Sequence, residues 1–121
     1  MEKRSSNSFQ IFYPKFNREQ IIQLIKERLN HLKRELPILR VVLFGSYARR
    51  NCTVASNVDL LVIYDGKPRK KAYEVIKSVF DIPSLEPHPY SQEEYEAMKD
   101  TVQRMTREGI TLFEVDEPAR G

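Results

Sequence analysis

Two polar segments beside apolar runs carry the side chains that could do chemistry. Gly45-Ser46 directly follows the apolar run 38–44, and Asn57 and Asp59 stand where the second apolar run begins. Free backbone N–H groups and a hydroxyl at the start of a helical turn suit an anionic phosphate. Residues two apart on a strand share a face, so a metal ion held by Asp59 would also meet Asn57. The spacing therefore predicts a phosphate loop beside a metal-binding strand.

The elements that position these residues can be predicted from periodicity. Both apolar runs, 38–44 and 58–64, are short, β-branched and bounded by turn residues, which is typical of strands. A helix precedes them, because Asn17–Gln20 has the pattern of a capping box and apolar residues recur every three or four positions until Pro37. After the second strand, Pro68 predicts the first turn of another helix.

The last third of the chain predicts strand, helix and strand. The segment Ser84–Tyr90 is a third strand whose prolines place it at an edge or a bulge. Ser91–Glu94 is a capping box that opens the last helix, which Gly109 ends, and 110–115 is the final strand. The buried stripe of that helix is predicted to be Tyr95, Met98, Val102 and Met105. We expect an α/β (α+β) fold, a small mixed β-sheet with helices packed on it.

Composition restricts the function classes. A chain of 121 residues with 40% hydrophobic and 31% charged residues predicts one soluble domain. No apolar run approaches the ~20 residues of a membrane span, and no secretory signal is recognised, so a cytoplasmic protein without membrane contact is expected. The single Cys52 excludes an internal disulfide. The net charge of +3 and the basic stretches Arg49-Arg50 and 67–71 leave nucleic-acid binding as a minor hypothesis.

The polar residues also resemble a family signature. Gly45-Ser46, ten residues, then Asn57-Val58-Asp59 resembles the pattern Gly-Ser, ten residues, Asp-x-Asp of the DNA polymerase beta-like nucleotidyltransferases. The run 45–49 is similar to that of the minimal nucleotidyltransferases (MNT), and the resemblance covers roughly residues 20 to 114. It implies a nucleotidyltransferase domain at 17–115, with an N-terminal arm at 1–16 and a flexible tail at 116–121.

The resemblance also implies a role for each site residue. Gly45, Ser46 and Arg49 would hold the triphosphate of ATP or another NTP. Metal binding, expected to involve two Mg²⁺ ions, and catalysis would rest on three residues: Asn57, Asp59 and Glu86. Glu86 is the candidate third acid of a later strand, and Asp81 is the alternative. His88 shares a strand face with Glu86 if the segment is extended, where it is either a phosphate contact or a surface residue.

The expected reaction is transfer of a nucleoside monophosphate from the NTP to a hydroxyl acceptor. Asn57 stands where the family has an aspartate, which removes one negative charge from the metal site. Unit charges about 4 Å apart interact by about 4 kcal/mol at an effective dielectric constant near 20, so metal binding and activity should be weakened. Arg50 also replaces the glycine that the family usually has there.

A second hypothesis is an interaction protein. Small members of this family resemble antitoxins that pair with a separate helical HEPN-type toxin, and this chain would then be a catalytically impaired antitoxin-like partner. Its predicted partners are therefore a nucleoside triphosphate and either a HEPN-type protein or a second copy of the chain.

Overall fold

The computed structural model describes residues 18–45, 48 and 57–115. The predicted arm at 1–16, the tail at 116–121, and Arg50 and Cys52 lie outside the described residues. The helices are α1 (Arg18–Glu35), α2 (Ala72–Phe80), α3 (Gln92–Ala97) and α4 (Lys99–Met105). The strands are β1 (Ile38–Phe44), β2 (Val58–Tyr64), β3 (Leu85–Ser91) and β4 (Ile110–Glu114). No helix in these ranges is long and apolar enough to cross a membrane.

The four strands form one mixed sheet in the order β3-β2-β1-β4. β1 is antiparallel to both β2 and β4, whereas β2 and β3 are parallel. The α+β class and the strand bounds 38–44 and 58–64 are confirmed. β3 lies at the edge of the sheet, which is where its prolines predicted it.

Helices cover both faces of the sheet. Alternate residues of β2 face opposite ways, so Leu60 packs in the larger core with α1 and α2, while Leu61 packs in a smaller cluster on the other face. The smaller cluster also contains Tyr95 of α3 and Val102 of α4. Burial of the apolar face of α1 follows the predicted period, since Ile21, Ile25, Leu29 and Leu32 are all buried.

Two helix predictions were wrong. α2 begins at Ala72, four residues after Pro68, because the intervening segment forms a turn in which the Arg69 N–H donates to the Tyr64 hydroxyl at 2.9 Å. The last helix is interrupted at Met98, whose N–H is shared between the carbonyls of Glu94 and Tyr95. Met98 is therefore 41% exposed instead of buried.

Candidate active site

Three of the predicted site residues meet at one end of the sheet. Gly45 directly follows β1, Asp59 is the second residue of β2, and Glu86 is the second residue of β3. Phe44 and Asp59 are Cα partners across the antiparallel pair β1–β2, and Asp59 and Glu86 are Cα partners across the parallel pair β2–β3. The strand register thus brings together residues that are up to 41 positions apart in the chain.

The carboxylates of Asp59 and Glu86 project from the same face of the sheet. Paired residues on neighbouring strands lie about 5 Å apart and point to one side. Their chain neighbours Val58 and Leu85 both pack in the larger core, so the two acids face the side of the smaller cluster. Within the described ranges no Lys or Arg forms an ion pair with either acid. Two acidic residues on one face of the sheet form a site suited to a cation.

Gly45 leaves room for the Asp59 carboxylate. A Cβ atom at position 45 would lie 2.5 Å from Asp59 Oδ2, closer than real Cβ contacts come. Gly45 also has φ +80°, a conformation that L side chains rarely adopt. Both observations require glycine where the strand turns into the candidate phosphate loop.

His88 contacts the same carboxylate from β3. Its Nε2 lies 3.2 Å from Asp59 Oδ1, and its ring lies 5.0 Å from the Phe44 ring at a tilt of 60°. Strand alternation predicted that His88 shares a face with Glu86, but it could not identify Asp59 as the partner. That contact depends on the parallel register of β2 and β3, for which the sequence carries no local signal.

The loop before β3 places Glu86 at this end of the sheet. Asp81 and Ser84 both adopt positive φ, 49° and 69°, and the Val58 N–H donates to the Ser84 carbonyl at 2.8 Å. The Lys77 ammonium donates to the Leu85 carbonyl at 2.5 Å. Asp81 therefore caps the C-terminus of α2 outside the sheet, whereas Glu86 lies in register with Asp59.

The side-chain direction of Asn57 is not fixed by the strand, and the other predicted site residues lie outside the described ranges. Asn57 is exposed and directly precedes β2, so strand alternation does not fix the direction of its side chain. Ser46 and Arg49 are not among the described residues. The basic stretch 67–71 follows the far end of β2, about 20 Å from Asp59 along a seven-residue strand, and does not line the site.

The donor set fits a hard divalent cation such as Mg²⁺. Within the described ranges no group of three or more His, Cys, Asp or Glu side chains is arranged to hold a metal ion. Mg²⁺ does not need one, because it is usually bound by one or two carboxylates together with water and substrate phosphates. Asp59 and Glu86 supply two carboxylates, and the amide oxygen of Asn57 is a further candidate ligand.

Comparison with known proteins identifies the family to which this fold belongs. Residues 19–118 match the sequence model of the family described as polymerase beta, nucleotidyltransferase. The chain belongs to this family, and it is a nucleotidyltransferase by that resemblance. No curated protein sequence matches it significantly.

Solved structures with the same fold include a protein from Sulfolobus solfataricus assigned as a nucleotidyltransferase, with 19% identity and a TM-score of 0.55. That match covers 80% of this chain and 83% of the other. A toxin-antitoxin with AMP-PNP has 17% identity and a TM-score of 0.53, over 84% and 76% of the two chains. A tri-AMPylated HEPN toxin of Shewanella oneidensis in complex with an MNT antitoxin has 18% identity and a TM-score of 0.50, over 78% and 73%. The structural overlap shows a shared fold, and at identities below 20% it shows no more than that.

Proposed function

We propose that this protein transfers a nucleoside monophosphate from ATP or another NTP to a hydroxyl group, with an activity that Asn57 weakens. The observation that carries the proposal is the register pair Asp59 and Glu86, two acidic residues on one face of the sheet at the end where the Gly45 turn lies. The family fold supports the reaction type. The basic stretch 67–71 is remote from these acids, so it gives no support to a nucleic-acid acceptor.

In this proposal the chain binds and orients both substrates. Gly45, with Ser46 and Arg49, holds the triphosphate, and Asp59, Glu86 and the weaker ligand Asn57 hold Mg²⁺, with two ions expected. When bound, the metal neutralises charge on the phosphate oxygens and favours in-line displacement.

Transfer makes one bond at the α-phosphorus and breaks another. The acceptor oxygen bonds to the α-phosphorus, the bond to the β-phosphate oxygen breaks, and pyrophosphate leaves. Glu86 is half-buried on the edge strand β3, and it takes the proton of the acceptor hydroxyl. Asp59 lies between β1 and β3 and serves as a metal ligand.

The test is calorimetric titration of MgATP into the parent chain and Asn57→Asp. Restoring one carboxylate near the metal adds up to about 4 kcal/mol of attraction, so we expect magnesium-dependent affinity to rise by about 10- to 1000-fold. Pyrophosphate release should rise in parallel. Asp59→Asn should abolish both signals.

Asp65→Asn is the matched control for Asp59→Asn, because it removes the same charge from the chain at an exposed position beyond the other end of β2. It should bind MgATP like the parent. If Asn57→Asp gains neither affinity nor turnover, Asn57 is not the limiting defect. If none of the variants binds MgATP, the nucleotidyltransferase proposal fails.

A second candidate function is that of an antitoxin-like partner of a helical HEPN-type protein. It is favoured by the fold shared with two toxin-antitoxin structures, one of them containing an MNT antitoxin. This function does not require catalysis, so it tolerates Asn57. Purification from the native source followed by light scattering and mass spectrometry should yield a complex with an all-helical protein. A lone monomer under those conditions would argue against this candidate.

A further inference from the structure

The His88–Asp59 contact gives the two carboxylate oxygens of Asp59 different environments. His88 Nε2 lies 3.2 Å from Oδ1, and the side chains of His88 and Asp59 are 32% and 28% exposed. An ionised carboxylate can only accept hydrogen bonds, so this bond to ionised Asp59 requires the tautomer of His88 that carries its proton on Nε2. Oδ1 is therefore engaged by the protein itself.

The other oxygen faces the candidate phosphate loop. Oδ2 is the Asp59 atom nearest to the position that a Cβ would take on Gly45. The carboxylate thus lies between the imidazole of β3 on one side and the turn after β1 on the other. A rotation of the Asp59 carboxylate would break its contact with His88.

The imidazole is itself held in place by packing. Its ring lies 5.0 Å from the Phe44 ring in a tilted arrangement, which is a favourable geometry for two aromatic rings. Phe44 is 9% exposed and belongs to the smaller apolar cluster, and it is also the register partner of Asp59. The Phe44 ring therefore packs against His88, and His88 in turn contacts Asp59, the register partner of Phe44.

We propose that His88 is a positioning residue, which holds Oδ1 of Asp59 through its Nε2–H and leaves Oδ2 directed at the Gly45 turn as the oxygen that binds metal. The inference rests on the proposed nucleotidyltransferase function for the identity of the ligand. His88 itself touches neither nucleotide nor metal in this role. Hydrogen-bond partners of metal ligands typically change metal affinity by about 10- to 100-fold when removed.

The test measures binding of Mn²⁺ with α,β-methylene-ATP by electron paramagnetic resonance and calorimetry. His88→Leu keeps an apolar contact for Phe44 but loses the donor, so its Mn²⁺ affinity should fall by about 10- to 100-fold. His88→Gln carries an amide N–H that can reach the place of Nε2, and it should recover to within about threefold of the parent. His31→Leu is the matched control, because His31 lies exposed on α1 across the sheet and pairs with Glu35.

Two results of the binding experiment would overturn the inference. One is His88→Leu binding Mn²⁺ as tightly as the parent, and the other is His88→Gln remaining as weak as His88→Leu while circular dichroism shows both folded. The hydrogen bond can also be tested without metal, because ¹⁵N NMR of the metal-free protein should show a proton on His88 Nε2. An unprotonated Nε2 also overturns it. If the parent fails to bind Mn²⁺ with nucleotide but Nε2 is protonated, the positioning contact stands and the proposed function fails.

Discussion

Replacing Gly45 with alanine tests the geometry of the site more directly than removing a charge would. The new Cβ would lie 2.5 Å from Asp59 Oδ2, about 0.9 Å short of the 3.4 Å at which ordinary contact begins. Gly45 also has φ +80°, and a left-handed backbone costs an L residue roughly 1–2 kcal/mol. For 121 residues this cost alone lowers the melting temperature by about 4–8 °C.

The displacement of Asp59 should affect function more than stability. A shift near 1 Å in a reacting or ligand group can cost about a hundredfold in rate. We therefore expect Gly45→Ala to lower magnesium-dependent nucleotide turnover by about 100-fold. Gly66→Ala is the matched control, because Gly66 has φ +95° but no atom within 4 Å of the added Cβ. It should lose only the stability that the left-handed backbone costs an L residue, about 1–2 kcal/mol, and keep the parent turnover.

A double mutant separates the clash with Asp59 from other effects at the turn. In an Asp59→Ala background the added Cβ at position 45 no longer meets a carboxylate. The stability loss caused by Gly45→Ala should then fall to that of Gly66→Ala, as measured by urea denaturation of the parent, the two single mutants, the double mutant and Gly66→Ala. The reasoning is refuted if Gly45→Ala keeps the parent turnover, or if its stability loss is the same with and without the Asp59 carboxylate.

Two further predictions concern stability. Ser91→Ala removes a fully buried N-cap whose hydroxyl accepts a hydrogen bond from the Glu94 N–H at 3.0 Å. The free energy of unfolding, measured in urea, should therefore fall by about 1–2 kcal/mol, and Ser91→Thr should recover part of this loss. An unchanged free energy of unfolding would mean that the capping box does not stabilise the protein. Ile25→Ala should lower the free energy of unfolding by about 2–5 kcal/mol because Ile25 is 0% exposed. Ile22→Ala, at a half-buried position of the same helix, should lower it by less. Equal losses would contradict the assignment of the buried face of α1.

Local patterns in the sequence predicted the elements well. Turn residues bound the apolar runs of β1 and β2 on both sides, and the structure has the same limits, 38–44 and 58–64. The capping box at Ser91 was also read correctly, since both of its hydrogen bonds form. These features depend on residues within a few positions of each other, which is why one sequence reveals them.

Features that depend on packing were harder to predict. No glycine or proline lies between Gln92 and Met105, so nothing local marks the break at Met98. The strand pairing that sets Asp59 beside Glu86 joins distant segments, and the sequence suggested Glu86 only through a family pattern. The roles of Gly45, Asn57, Asp59 and Glu86 in binding and catalysis remain predictions.

The two prolines of β3 affect how copies of this protein can associate. Pro87 and Pro89 are two apart, so their nitrogens, which carry no hydrogen, point to the same side of the strand. β3 pairs with β2 along its whole length, so that side is the outer edge of the sheet. A strand that paired with this edge would lack the backbone N–H donors of Pro87 and Pro89. β4, the opposite edge of the sheet within the described ranges, contains no proline. Two copies joined through β4 would have β3 at both outer edges, and such an assembly would stop at eight strands instead of growing into a fibre.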